Sequence, residues 1–143
     1  MTPPKLGSRT NIALLALRVV LGAAFILHGW PKVLHPGTWA SHMLPRAPAW
    51  LGAVAAFAEF GGGIAVLLGI LTPLFAFLIA CDMFVAIWFV HLPHGASFVN
   101  DAAGKTSFEK PLMYLVVALA LILAGPGAYS LDGAGGRRPR KRR

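Results

Sequence analysis

Three charged side chains lie inside stretches that are otherwise apolar, and they have the clearest potential for chemistry. They are Arg18, Glu59 and Asp82. A charge at the centre of a bilayer costs about 2.5–3.5 kcal/mol on insertion scales, so such residues usually pair with one another or serve a function. An arginine beside a carboxylate offsets part of this cost, and a second carboxylate nearby could hold a proton. We therefore predict a buried charge network that either locks helix packing or serves a proton-linked or quinone-linked site.

A second set of polar residues lies near one end of the predicted helices. It contains His28 and His91, with Lys32, His35, His42, His94, Glu109 and Lys110 at or beyond the same level. Three interpretations stay open: histidines at a solvated interface, a quinone head-group site, or a metal or bis-histidine haem site. Histidine and lysine can donate hydrogen bonds to a quinone carbonyl, which makes His28, Lys32, His91 and Glu109 the candidate quinone ligands. The sequence has neither an HExxH nor a CxxCH motif, and no metal site is predicted.

The spacing of His91 and Asp82 limits whether both side chains can face the same side of one helix. They are nine residues apart, which places them half a turn out of phase on an ideal helix. Both can face the centre of a bundle only if the helix is distorted before Pro93. Cys81, the only cysteine, is expected to be a packing residue of the same helix.

The composition requires a membrane around these polar groups. Of the 143 residues, 57% are hydrophobic and 13% are charged, and the mean hydropathy is +0.67. Soluble domains carry about 25% charged residues. The length suits one domain, and a single cysteine excludes a disulfide scaffold. These values indicate a small integral membrane protein and exclude an ordinary soluble enzyme.

Four apolar runs are each close to the length of about 20 residues that spans a bilayer. Proline and glycine punctuate their ends, as expected of helix boundaries. The predicted fold is all-α: an up-and-down membrane four-helix bundle in residues 1–132, followed by a basic tail in residues 133–143. The runs cover approximately residues 12–30, 50–71, 73–92 and 111–126.

The distribution of lysine and arginine predicts the orientation, because cytoplasmic segments are enriched in both. Six of the 13 basic residues lie in the last seven positions, and Lys5 and Arg9 share their side of the membrane. Both termini are therefore expected in the cytoplasm. The tail has no aromatic residue, which favours contact with anionic lipid over nucleic acid. The basic residues predicted on the opposite side are fewer: Lys32, Arg46, Lys105 and Lys110.

Glu59 belongs to a face of small residues, which allow helices to approach closely. We expect Glu59 to face a neighbouring helix for this reason. The small residues of this face are Gly52, Ala55, Ala56, Gly62 and Gly63.

Several short motifs together resemble the DoxX family of small four-helix membrane proteins, over nearly the whole chain. The resemblance implies a multi-pass protein of a bacterial or archaeal inner membrane, associated with redox chemistry. Family members are subunits of quinol-oxidase or thiosulfate:quinone oxidoreductase systems, or partners of thiol- and superoxide-handling enzymes. The motifs are LRVVLG (17–22), HGWPK (28–32), EFGGG (59–63), LGILTP (68–73), FEKPL (108–112) and GPGAYSLD (125–132), and Arg18, His28, Lys32, Glu59 and Glu109 fall on positions of the family pattern.

The predicted function is that of a membrane subunit that helps to bind or position a quinone or quinol within a redox complex. Electrons would enter from a protein partner, because the chain has no motif for a flavin, an iron–sulfur cluster or a covalent haem. Membrane lipids are the other expected partners, and nucleic acid is not expected. Two alternatives stay open. The chain could be a structural accessory subunit without chemistry of its own, or a small-molecule or ion transporter, although four spans are few for a transporter.

Overall fold

The computed structural model of the chain describes residues 6–36, 38–39, 48–99 and 106–135. These residues are almost entirely helical, and Ser97 and Ser107 form an isolated bridge between two loops. The all-α prediction is confirmed. The helices are α1 (Ser8–Leu34), α2 (Ala49–Leu68), α3 (Thr72–Val85), α4 (Glu109–Ala124) and the short α5 (Leu131–Gly135), with a π-helical segment (Ala86–His91) and a 3₁₀ turn (Leu92–His94) after α3.

Three helical stretches in the described part of the chain are long and apolar enough to cross a membrane: Ser8–Leu34, Ala49–Leu68 and Thr72–His94. The chain is therefore a multi-pass membrane protein. The fourth predicted span corresponds to α4, which has 16 residues. At 1.5 Å per residue it is about 24 Å long, shorter than a hydrocarbon core of about 30 Å.

The up-and-down topology and the cytoplasmic location of both termini stay predictions. Most of the basic tail lies outside the described residues, as do Lys5, Arg46 and Lys105. The division into a membrane domain and a tail also stays a prediction.

Glycines bring the backbones of α1 and α2 into direct contact. A Cβ atom added at Gly22 would lie 2.7 Å from the carbonyl oxygen of Gly63. One added at Gly29 would lie 2.5 Å from the backbone nitrogen of Phe60. Neither distance leaves room for a side chain, so these glycines fix the separation and register of the two helices. Glu59 lies next to Phe60 and is buried at this interface, as its face of small residues predicts.

The apolar core lies where α1, α2, α3 and α4 meet. α1 packs against α2 and α4, and α3 packs against the same two helices. An edge-to-face contact joins the rings of Phe25 and Tyr114, whose centroids are 5.3 Å apart. Next to this core the same four helices, together with the π-helical segment, line a cavity that is partly open to the outside. The largest buried apolar side chains are Leu21, Phe25, Val66, Ile79 and Leu121.

Candidate functional site

The contact between α1 and α2 places Lys32 beside Glu59. The Gly29–Phe60 contact sets the register, and Lys32 follows Gly29 by three residues on α1. The Lys32 ammonium group donates a hydrogen bond to Glu59 Oε1 and forms an ion pair with it. The Glu59 side chain is only 3% exposed, against 25% for Lys32. The glutamate of this ion pair is thus buried, whereas the lysine is partly accessible from outside the protein.

Trp39 covers the lysine end of this pair. Lys32 Nζ lies 4.3 Å from the centroid of the Trp39 ring, a cation–π contact. The ring is held in place by its own N–H group, which donates to the carbonyl oxygen of Gly52 at 2.9 Å. An aromatic ring from the segment between α1 and α2 therefore fixes the position of the ammonium group.

Asp82 of α3 completes a group that we call the triad, consisting of Lys32, Glu59 and Asp82. Asp82 is a close neighbour of Glu59, and both residues line the same cavity. Two neighbouring carboxyl groups are favoured when they hold one proton between them, because two like charges repel. With that proton and the lysine ammonium, the triad carries no net charge, which suits its place among membrane-spanning helices.

Two oxygen atoms of the triad stay available for a ligand. Glu59 Oε2 and Asp82 Oδ2 are buried, and neither receives a hydrogen bond from a donor among the described residues. Buried polar atoms normally have a partner, so each exception calls for an explanation. A proton shared by the two carboxyl groups can satisfy at most one of these oxygens as an acceptor. At least one acceptor position therefore suits an O–H or N–H group from outside the chain.

The triad forms part of the wall of a cavity of about 480 Å³. The wall is otherwise mainly apolar, and its other polar side chains are His28, His91, Lys110 and Tyr114. Sites for small organic ligands are of this size and consist of apolar walls with a few polar groups. The cavity thus brings together three of the four predicted quinone ligands, His28, Lys32 and His91, with two members of the predicted charge network.

A π-helical segment allows Asp82 and His91 to line the same cavity. Residues Ala86–His91 form this segment immediately before Pro93, where the sequence predicts a distortion if both residues are to face inward. The wider π-turn changes the phase between the two side chains. The condition set by their spacing is met, and π-helical turns are frequent at functional sites.

Both cavity histidines are oriented by backbone carbonyl groups. His28 Nδ1 lies 2.7 Å from the carbonyl oxygen of Ala24, and His91 Nδ1 lies 2.9 Å from that of Ala86. A carbonyl oxygen only accepts, so each Nδ1 carries the hydrogen. In the neutral ring, Nε2 is then a hydrogen-bond acceptor. The histidines therefore add two acceptors to those of the carboxyl pair.

Arg18 is separated from the triad. It lies 14 residues from Lys32 on α1, about 21 Å along the helix axis. Its guanidinium group is buried and, within the described part of the chain, donates hydrogen bonds to carbonyl oxygens, so Arg18 does not join Glu59 and Asp82 in the predicted network there. The four carbonyl groups belong to Val66, Leu67, Pro126 and Tyr129, at donor–acceptor distances of 2.7–3.0 Å.

The physical reason is that carbonyl groups in the last turn of α2 lack the regular hydrogen bond from the residue four positions on; that of Val66 accepts instead from the N–H group of Gly69, at 3.2 Å. Val66 and Leu67 belong to that turn, and the rigid fork of the arginine side chain matches several acceptors at once. Lysine has three donors on one nitrogen atom and is better suited to a single carboxylate. Lys32 therefore occupies the place beside Glu59 that the sequence predicted for Arg18.

Comparison with known proteins identifies the family. The family model named DoxX matches residues 13–92 of this chain. The chain belongs to the DoxX family. Inner membrane protein YqjF of Escherichia coli K12 is 29% identical over 123 residues, which cover 85% of this chain and 91% of that protein. An uncharacterized protein of Haemophilus influenzae strain Rd is 33% identical over 119 residues, or 81% and 85% of the two chains. No solved structure matches the chain.

Together with its three long apolar helices, membership of the DoxX family makes the chain a multi-pass protein of the inner membrane. The segment that matches the family model includes the whole triad and both cavity histidines. It ends before α4, which supplies Lys110 and Tyr114 to the cavity.

One predicted ligand of this DoxX-family protein lies apart from the others. Glu109 is exposed at the start of α4 and does not line the cavity, whereas the next residue, Lys110, does. Cys81 also differs from the expectation, because its side chain is exposed and lines the cavity instead of packing within the core.

Sequence reasoning did not identify the role of Tyr114. Its ring contacts Phe25 and lies 6.0 Å from the ring of His28, between centroids. The signal was its position four residues after Lys110, which places both on one face of a helix. The role of Trp39 had no comparable signal, because it lies between helices.

Proposed function

We propose that this DoxX-family protein binds the head group of a membrane quinone or quinol at the triad, as a subunit of a redox complex. The observation that carries the proposal is the pair of buried carboxyl oxygens, Glu59 Oε2 and Asp82 Oδ2, in the wall of a largely apolar cavity. Such oxygens in membrane-spanning helices mark a place where a proton or a donor group is received. A mainly apolar cavity among membrane-spanning helices suits a lipid-soluble molecule.

The chemistry of the donor set fits such a ligand. A bound quinone takes up two electrons and two protons to become a quinol, and the reverse reaction releases them. Lys32 would hold an oxygen of the head group, since its ammonium has donors beyond the one used by Glu59. The carboxyl pair would give or receive a proton at Glu59 Oε2 or Asp82 Oδ2. His28 and His91 would accept hydrogen bonds from the hydroxyl groups of the quinol through Nε2, and the apolar walls would exclude water.

The proposal includes the predicted topology. In an up-and-down four-helix bundle with cytoplasmic termini, the Lys32 end of α1 lies toward the outer side of the membrane. Electrons come from a protein partner, in keeping with a chain that has no redox motif of its own. The proposed partner is therefore a protein that donates or accepts electrons and binds to this membrane subunit.

Quinone binding by the purified full-length protein in lipid nanodiscs tests the proposal. Decylubiquinone and its quinol would be titrated by calorimetry against wild type and the variants Glu59→Gln and Asp82→Asn. We expect each substitution to weaken binding of the quinol about tenfold, because a quinol hydroxyl donates a hydrogen bond to a carboxyl oxygen and loses it in the variant. Binding of the quinone, which has no donor, should weaken less. Glu109→Gln is the matched control, because Glu109 is a carboxylate of the same protein outside the cavity.

Two results would contradict the proposal. The first is a wild-type protein that retains no quinone in an organic extract and shows no titratable binding. The second is binding of the quinol that is as tight in the Glu59→Gln and Asp82→Asn variants as in wild type. If the complex purified with this subunit also kept its turnover through both substitutions, the chain would be a structural accessory subunit.

A further inference from the structure

One face of α2 runs from the lipid surface into the cavity. Four residues on it line the cavity at the spacing of a single helical face: Leu51, Val54, Ala55 and Ala58. Along this face the exposed fraction falls from 55% at Val54 to 6% at Ala58. The cavity wall and the outer surface of α2 are therefore continuous.

The facing side of α3 has the same arrangement. Leu78, Cys81, Asp82 and Val85 line the cavity at the identical spacing. Cys81 is exposed, and Val85 is 37% exposed. Asp82 lies in the same stripe, and its Oδ2 atom is buried. A passage between α2 and α3 therefore connects the outside surface with the triad.

This passage, which we call the α2–α3 opening, is bordered by Leu51, Val54, Cys81 and Val85, none of which carries a charge. Helices of this length and hydropathy face acyl chains over their exposed apolar surface. The exposed polar residues of the cavity, His28 and Lys110, belong to α1 and α4 instead. The cavity thus has a polar side and an apolar side, and the apolar side faces the bilayer.

We infer that the α2–α3 opening holds the hydrocarbon tail of the ligand whose head group lies at the triad. This inference rests on the proposed function. The cavity is continuous from the unpartnered carboxyl oxygens to the opening, so a molecule with its polar head at the triad extends its tail past Cys81 into lipid. The ligand class is accordingly a long-chain quinone or quinol that enters sideways from the bilayer, and Cys81 lies beside its chain.

Cys81 is the only cysteine of the sequence and therefore reports occupancy of the opening directly. The full-length protein in nanodiscs would be alkylated with N-ethylmaleimide and the rate followed by intact mass. Two quinones would be compared at equal fractional saturation: decylubiquinone, which has a tail, and duroquinone, which has none. Both rings are fully substituted, so neither adds to the thiol itself.

We expect decylubiquinone to slow alkylation of Cys81 at least about fivefold, because the thiol must be accessible to react. Duroquinone should leave the rate within about twofold of the free protein, since it fills only the inner part of the cavity. The matched control is the double variant C81S/V20C. Val20 is exposed on α1 and does not line the cavity, so neither quinone should change its alkylation rate.

A second variant tests the opening without the thiol. Val54→Trp narrows it and should weaken binding of decylubiquinone at least about fivefold, while duroquinone binds within about twofold of wild type. Val116→Trp, on the exposed surface of α4 outside the cavity, should change neither.

The outcomes separate the two proposals. If both quinones bind but decylubiquinone does not slow alkylation, or both slow it equally, the tail lies elsewhere and only this inference is overturned. A Cys81 that does not react in the free protein would also overturn it, because the opening would be closed. If neither quinone binds wild type, the proposed function is overturned and this inference with it.

Discussion

Removal of the Lys32 ammonium group is the sharpest test of the triad. Lys32→Met keeps the length of the apolar stem and deletes the charge, which leaves the carboxyl pair with its negative charge uncompensated. Breaking a buried ion pair from one side costs about 3–5 kcal/mol. Lys32 is 25% exposed, so we expect the lower end of the range, about 3 kcal/mol, in the free energy of unfolding.

Combining this change with Glu59→Gln should recover most of the loss. In the double variant the negative charge of Glu59 is gone together with the positive charge of Lys32. The side chain beside Asp82 is then the neutral amide of Glu59→Gln. We expect the double variant to lie within about 1 kcal/mol of wild type, since replacing both partners of a buried pair is often close to neutral. The coupling between the two sites would then be at least about 2 kcal/mol, because any cost of Glu59→Gln alone adds to the difference between the Lys32→Met variant and the double variant.

The assay is reversible unfolding of the protein in mixed detergent micelles, followed by the fluorescence of its tryptophans. Wild type, both single variants and the double variant form one thermodynamic cycle, and Glu109→Gln serves as a control for loss of a carboxylate outside the cavity. A coupling below about 0.5 kcal/mol would mean that the two residues act independently. That result would refute a triad held together by the Lys32–Glu59 ion pair.

Three further predictions concern other parts of the molecule. Arg18→Lys should lower the free energy of unfolding by about 2–3 kcal/mol, because an ammonium cannot reach four carbonyl groups, and it should leave quinone affinity unchanged in calorimetry. Gly29→Ala should destabilise by more than about 1 kcal/mol in the same unfolding assay, since its Cβ would lie 2.5 Å from the Phe60 nitrogen, whereas Gly61→Ala, with its nearest neighbour a ring carbon at 3.3 Å, should not. His91→Phe should weaken binding of a quinol about tenfold and that of the matching quinone less, because Nε2 of His91 accepts hydrogen bonds; equal losses for both forms would contradict that role.

The sequence predicted the helices and the burial of Arg18 and Glu59 well, because both depend on local properties. Apolar runs of sufficient length form helices in a membrane whatever their neighbours are. The small residues around Glu59 predicted its burial at a helix interface. The helix distortion that lets His91 and Asp82 both face inward was also predictable, since helical phase follows from residue spacing alone.

The pairing of charges could not be predicted in the same way. Arg18 and Lys32 are both cations on α1, and which of them pairs with Glu59 depends on the axial register between α1 and α2. That register is fixed by two backbone contacts, at Gly22 and Gly29, whose partners lie more than 30 positions away in the chain. The separation of Glu109 from the cavity likewise depends on the rotation of α4, which a short helix with few polar residues does not specify.

The two ends of α1 show how a buried polar group that holds a structure together differs from one that serves a ligand. At Arg18 the donors meet carbonyl groups of the chain itself, and the group is satisfied without any outside partner. At the triad the charges balance, but the one proton of the carboxyl pair can satisfy only one of its two buried oxygens as an acceptor, and no other described residue donates to either. A group retained only for stability gains nothing from unsatisfied acceptors, because each of them costs free energy. The imbalance at the triad is therefore better explained by a molecule that completes it, and the apolar opening beside Cys81 indicates that this molecule comes from the lipid.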